Sequence, residues 1–167
     1  MSLSMYQAGI PVVIRYLNNL STLIDKAAAH CEARKIEPSV LINFRLTPDM
    51  FPFARQVQIA TDQVKGMAAR LAGVDVPSYA DTEATFPELK ARIAKTVDFL
   101  KTFKPAQIDG TEEKEITLKA GPTEFKFRGD DYLVGFVLPN FYFHVTTAYA
   151  ILRHCGVDVG KRDFLGA

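Results

Sequence analysis

The residues best able to do chemistry lie in the most apolar stretch of the chain. Between Asp131 and His154, apolar side chains such as Leu133, Val137, Leu138, Phe141, Val145, Ala148, Ile151 and Leu152 cover most of a helix circumference. Three polar residues share the side that Leu133 and Ile151 define. At about 100° per residue, with Leu133 as zero, Asn140 falls near about −20°, His144 near about +20° and Thr147 near about −40°. An amide and an imidazole spaced i, i+4 project side by side toward the interior. Burying them without partners costs roughly 1–3 kcal/mol each, so partners are expected. Pro139 cannot donate to the Gly135 carbonyl, which predicts a kink and a free acceptor beside the pair. One reading is an interior pocket or metal site with His144 as a ligand. The other is a core histidine bonded to a side chain of another helix. Metal-binding helices normally offer two strong ligands at i, i+4, whereas the residue paired with His144 is Asn140, a poor zinc ligand.

Gln56 and Gln63 lie at the edge of another apolar stripe and either could reach His144; Gln63 is expected to face water. Arg45 and Asp49 are spaced as a local ion pair, which would either lock a loop or line a pocket mouth. Tyr132, Tyr142 and Tyr149 are further possible lining residues. His30-Cys31 and His154-Cys155 look like two halves of a zinc site. They close helices expected to be antiparallel, however, so one chain would hold them apart. There is no nucleophile elbow, no phosphate-cradling glycine loop and no HExxH; Gly160-Lys161-Arg162 lacks the rest of a P-loop.

The elements that must position these groups follow from periodicity. Helices are expected over about Ser4–Lys35, Pro52–Leu71, Glu83 or Thr85 to Phe103, and Asp131–His154. Pro11 should start or kink the first. Pro38 to Phe51 is expected to hold one short helical turn and then an irregular approach. Residues 115–128 alternate around Gly121-Pro122 and read as a β-hairpin, which must pack on the helices to be stable. The last helix, apolar nearly all round, needs either that hairpin or a second copy as cover. Phe164-Leu165, in the tail from 157 to 167, is expected to dock on the helices.

Composition bounds the function. The chain has 167 residues, 48% of them apolar and 23% charged, enough for one domain over 1–167 with its own core. Lys plus Arg is 20 and Asp plus Glu is 19, balanced in both halves, so no basic surface for nucleic acid or a membrane is expected. No export signal or membrane-spanning run is read. A cytoplasmic location with two free thiols, Cys31 and Cys155, is the expectation.

Several stretches carry a family resemblance. They are Met5-Tyr6 with Ile10-Pro11-Val12, Arg45-Leu46 through Asp49-Met50-Phe51-Pro52, Arg55-Gln56-Val57-Gln58, the run from Pro139 to Tyr149, and Gly160-Lys161-Arg162-Asp163-Phe164-Leu165-Gly166. Over nearly its whole length the chain resembles the bacterial domain-of-unknown-function family numbered nineteen ninety-three. That family is related to the DinB-like superfamily, to which metalloenzyme chemistry is attributed. The resemblance implies an all-α, DinB-like four-helix up-and-down bundle, often dimeric, with a small β-hairpin between helices 3 and 4. It also implies a three-histidine metal site at the positions of Gln56, Asn140 and His144. One histidine of three is retained, and an imidazole with two neutral amides lacks the donors that hold zinc or nickel firmly. The thiol-transferase activity of some relatives depends on such a metal.

The expectation is therefore a homodimeric bundle without a cofactor. A polar core cluster or small-ligand pocket would be drawn from Gln56, Asn140, His144, Thr147, Arg45 and Asp49. The alternative is a zinc- or nickel-dependent enzyme, thiol-transferase-like or hydrolytic, with His144 as the surviving ligand.

Overall fold

The computed structural model describes residues 3–120 and 122–167; Gly121, read above as part of the hairpin turn, lies outside them. The chain is mostly helical. α1 spans Met5–Arg34, α2 Pro38–Ile42, α3 Phe53–Ala72, α4 Phe86–Lys101 and α5 Pro105–Ile108. A hairpin follows, β1 Glu115–Ala120 and β2 Thr123–Arg128. A π-helical segment, Asp131–Val137, runs directly into α6, Leu138–His154, and α7 covers Lys161–Leu165. Among the described residues no helix is long and apolar enough to cross a membrane.

Helix ends lie where capping chemistry puts them. The Ser4 side chain accepts from the Gln7 backbone while Gln7 reaches back, and Lys35, at φ 56°, closes α1 in the left-handed region. Pro11 neither starts nor ends this helix, which carries it inside. Thr85 and Glu88 form the same reciprocal cap at α4, and Gly73, at φ 74°, ends α3.

Contacts between helices fix their directions. Gly9 lies against Leu133, Tyr16 packs on Tyr142 at 5.1 Å, and His30 lies against Gly156. Sequence numbers rise together, so α1 and the last helix run parallel. Gln56 meets His144 and Arg70 meets Tyr132, so α3 runs opposite to the last helix. Phe53 packs on Phe86 and Thr61 bonds Arg92, so α3 and α4 run the same way. The directions are up, down, down, up. This corrects the strict alternation expected from sequence and its corollary that His30-Cys31 and His154-Cys155 lie far apart. The physical reason is the connection at 73–85, long enough to travel back along the helices.

That return segment has no ladder of its own; buried charge holds it. Arg92 Nε donates to Thr61 Oγ1 at 2.7 Å, and Nη2 to Asp62 at 2.8 Å. Nη1 donates to the Ala80 carbonyl at 3.0 Å and pairs with Glu83 and Asp81, each at 3.1 Å. Asp81 also pairs with Arg55, and Glu83 accepts from Gln58 at 3.0 Å. The Arg92 side chain is 1% exposed, so all its nitrogens are matched inside the protein.

In the hairpin Ile116 pairs with Phe127 and Leu118 with Phe125. Phe127 packs on Tyr132 and Phe136, covering the start of the last helix. Gly129 begins that helix beneath the Thr111 carbonyl, where any Cβ would overlap the oxygen. Phe164 packs on Tyr16 and Tyr149, as expected of the tail, whereas Leu165 stays exposed.

Replacing Arg92 with Leu is expected to lower unfolding stability by at least ~2 kcal/mol, because Glu83 and Asp62 lose their buried partner. Limited proteolysis should then cut within 74–84 before any other site. Unchanged stability and cleavage order would refute the anchoring role.

Candidate functional site

His144 lies on the buried face of α6 and reaches Gln56 on α3. Its Nδ1 is 2.7 Å from Gln56 Oε1. Gln56, 1% exposed, donates through Nε2 to the Phe51 carbonyl at 3.0 Å. A carbonyl can only accept, so the amide nitrogen faces Phe51 and the amide oxygen faces the imidazole. His144 Nδ1 therefore carries the proton and donates. Nε2 is left with a lone pair. Among buried side-chain polar atoms of the described residues, only His30 Nε2 lacks a partner. His144 Nε2, which makes no such bond, thus keeps contact with solvent through the 9% of the residue still exposed. Burial first, and the nearby Arg55 guanidinium second, push the imidazole below its ordinary value. It is neutral at pH 7.

The surroundings are aromatic and cationic. Phe143 meets the His144 ring edge-on at 5.3 Å and is itself 55% exposed. Arg55 lies over the Phe51 ring at 5.9 Å.

Asn140 is half-buried, and its amide donates to the Phe136 carbonyl at 2.9 Å rather than to His144. The expected kink at Pro139 takes the form of the π-helical segment before it, closed by a bond from Leu138 N–H to the Leu133 carbonyl. Thr147 is buried and donates to the Phe143 carbonyl at 2.7 Å. Arg45 and Asp49 do not pair, which corrects the expected ion pair. Arg45 donates to the Pro48 and Met50 carbonyls, while Asp49 accepts from Thr47 at 2.6 Å. The loop is locked through its backbone, because these carbonyls are nearer to the guanidinium than the carboxylate is. Gln63 is half-buried. Tyr132 is buried, its hydroxyl bonded to Arg70, and Tyr149 lines a cavity of about 120 Å³ with Thr146, Lys161 and Phe164.

Zinc held jointly by Gln56 Oε1 and His144 Nδ1 would need these two atoms about 3.3–3.6 Å apart, at ordinary bond lengths of about 2.0–2.2 Å and a tetrahedral angle. At 2.7 Å they share a proton instead. Among the described residues no three His, Cys, Asp or Glu side chains converge to hold a metal ion. The donor set does not fit the three-histidine centre.

Sequence reasoning missed the Phe51 carbonyl, which carries no side-chain signal, and the Arg92–Asp81–Arg55 chain. Arg92 and Thr96 fall on the same helix face as Leu89 and Ile93, and that interruption of an apolar stripe was the available clue.

The fold is that of a DinB-type helical protein. A solved structure of a DinB family member protein from Shewanella denitrificans matches with a TM-score of 0.88 and 39% identity, covering 97% of this chain and 92% of that one. The family model for a domain of unknown function, DUF1993, matches residues 5–165, and the chain belongs to that family. No curated protein matches the sequence.

His144→Leu strands the buried Gln56 oxygen and is expected to lose about 1–3 kcal/mol. Adding Gln56→Leu should recover part of that loss, giving a coupling energy of at least ~0.5 kcal/mol in a double-mutant cycle read by denaturant unfolding. Strict additivity would rule out the bond as a stabilising link.

Proposed function

We propose that the chain is a four-helix bundle of DinB type without a working three-histidine metal site, acting as a binding module around His144. The observation that carries this reading is the 2.7 Å bond between His144 Nδ1 and Gln56 Oε1. It engages Gln56 Oε1 and His144 Nδ1, and it leaves the Nε2 lone pair of His144 facing outward. A small molecule offering an N–H or O–H donor, with an apolar portion against Phe143, suits that arrangement. Gln56 holds the imidazole in its tautomer, and Asn140 closes the irregular turn beside it.

The alternative, a zinc- or nickel-dependent enzyme with His144 as ligand, requires the exposed Nε2 and donors from outside the chain. Untagged protein purified without chelator, incubated with zinc or nickel and desalted, tests both. The expected result is well below one metal per chain, unchanged in His144→Ala. One metal per chain, lost in the variant, overturns the binding-module reading.

The module is further proposed to be a homodimer whose seam includes Val134 and Phe143, large apolar side chains of the last helix that are 59% and 55% exposed. Light scattering should give twice 18.6 kDa, falling to 18.6 kDa in Phe143→Glu. A single-chain mass for the unaltered protein at all concentrations refutes the dimer.

A further inference from the structure

The parallel course of α1 and α6 brings their C-terminal ends together. The same sequence offset relates Tyr16 to Tyr142 and His30 to Gly156. A Cβ on Gly156 would sit 3.9 Å from His30 Cε1. Phe44 packs on the His154 ring at 5.5 Å and covers the same end. Cys31 follows His30 in the last turn of α1, and Cys155 precedes Gly156 at the cap of α6. Both are free thiols, Cys31 buried at 1% exposure and Cys155 half-buried. Each lies close to a left-handed cap residue, Lys35 at φ 56° and Gly156 at φ 84°, where the chain leaves its helix and can adjust. The unpartnered His30 Nε2 marks this junction as the one place among the described residues where a buried polar side-chain atom is unsatisfied.

We propose that Cys31 and Cys155 form a reversible disulfide, stapling the ends of α1 and α6 when the protein meets a small-molecule disulfide. Cys155, the more exposed thiol, loses its proton and attacks one sulfur of the oxidant. A mixed disulfide forms and one small thiolate leaves. Cys31 then loses its proton and attacks the Cys155 sulfur, expelling the second small thiolate. The two cysteines are oxidised by two electrons, the small disulfide is reduced to two thiols, and those thiols take up both protons. Burial raises both thiols above their ordinary value, and neighbouring Cys31 raises Cys155 further. Thiolate is scarce at neutral pH, so the exchange is slow and answers sustained oxidation rather than brief exposure.

The test treats the full chain with oxidised glutathione under native conditions, blocks remaining thiols and measures intact mass with peptide mapping. The expected product has lost two hydrogens per chain, links the Cys31 and Cys155 peptides, reverts with dithiothreitol, and unfolds about 5–10 °C higher. Cys31→Ser should stop at a glutathione adduct on Cys155. Free thiols throughout, an adduct on Cys155 that persists in the unaltered protein, or a bond between two chains would each overturn the proposal.

Discussion

Arg92 lies where the chain has to solve a problem of direction. Two consecutive long helices, α3 and α4, run the same way, so residues 73–85 must retrace the distance between their ends without a ladder to satisfy them. A buried guanidinium is well suited to that task. Its planar fork bonds a hydroxyl and a carboxylate on α3 while also holding a carbonyl and two carboxylates of the return segment. Tyr79 adds a second anchor, with Lys65 Nζ 3.8 Å from its ring centroid. Through Asp81 the same network reaches Arg55, one residue from Gln56. The apolar face of α3 lies in the core, and charge pairing along its other side ties the return segment to the helix that carries the partner of His144.

The second constraint is the π-helical segment. Each of its bonds adds a residue to a turn, so residues before and after it fall out of helical phase. Leu133, a natural reference for the whole apolar stretch, is therefore rotated relative to α6. Phe141, Ala148 and Ile151 set the buried face of α6, with His144 among them and Asn140 at its margin. Pro139 enters the helix just after this wider turn, and Asn140 supplies a side-chain donor to the Phe136 carbonyl at the same place.

This explains what was legible. Periodicity and caps placed the long helices and the hairpin to within a few residues, because Ser4, Thr85, Gly73 and the alternation through Ile116 and Phe127 are local signals with local causes. His144 was legible as an inward polar residue, and Gln56 as one of two possible partners. The partner of Asn140, the Phe136 carbonyl of its own helix, was not legible, since a π turn has no strong signature. Helix direction was invisible as well: a connection at 73–85 can either end a turn or run the length of two helices. The charges that decide it, Asp81 and Glu83, pair with residues far along the chain. The Arg45–Asp49 spacing misled for the opposite reason, because a nearby carboxylate competes with nearer backbone carbonyls.

The Gln56–His144 bond also decides what chemistry remains at the site. A metal held at these positions would need lone pairs from both Gln56 and His144. The hydrogen bond joins them through a proton on Nδ1, and it consumes the amide oxygen in doing so. An imidazole fixed in this tautomer presents a single lone pair, on Nε2. Protonating it would place a cation in a buried position beside Arg55, and the depressed basicity of His144 reflects that penalty. The neutral ring is therefore a hydrogen-bond acceptor first and a proton acceptor only at a cost. That ordering favours accepting a hydrogen bond over taking up a proton.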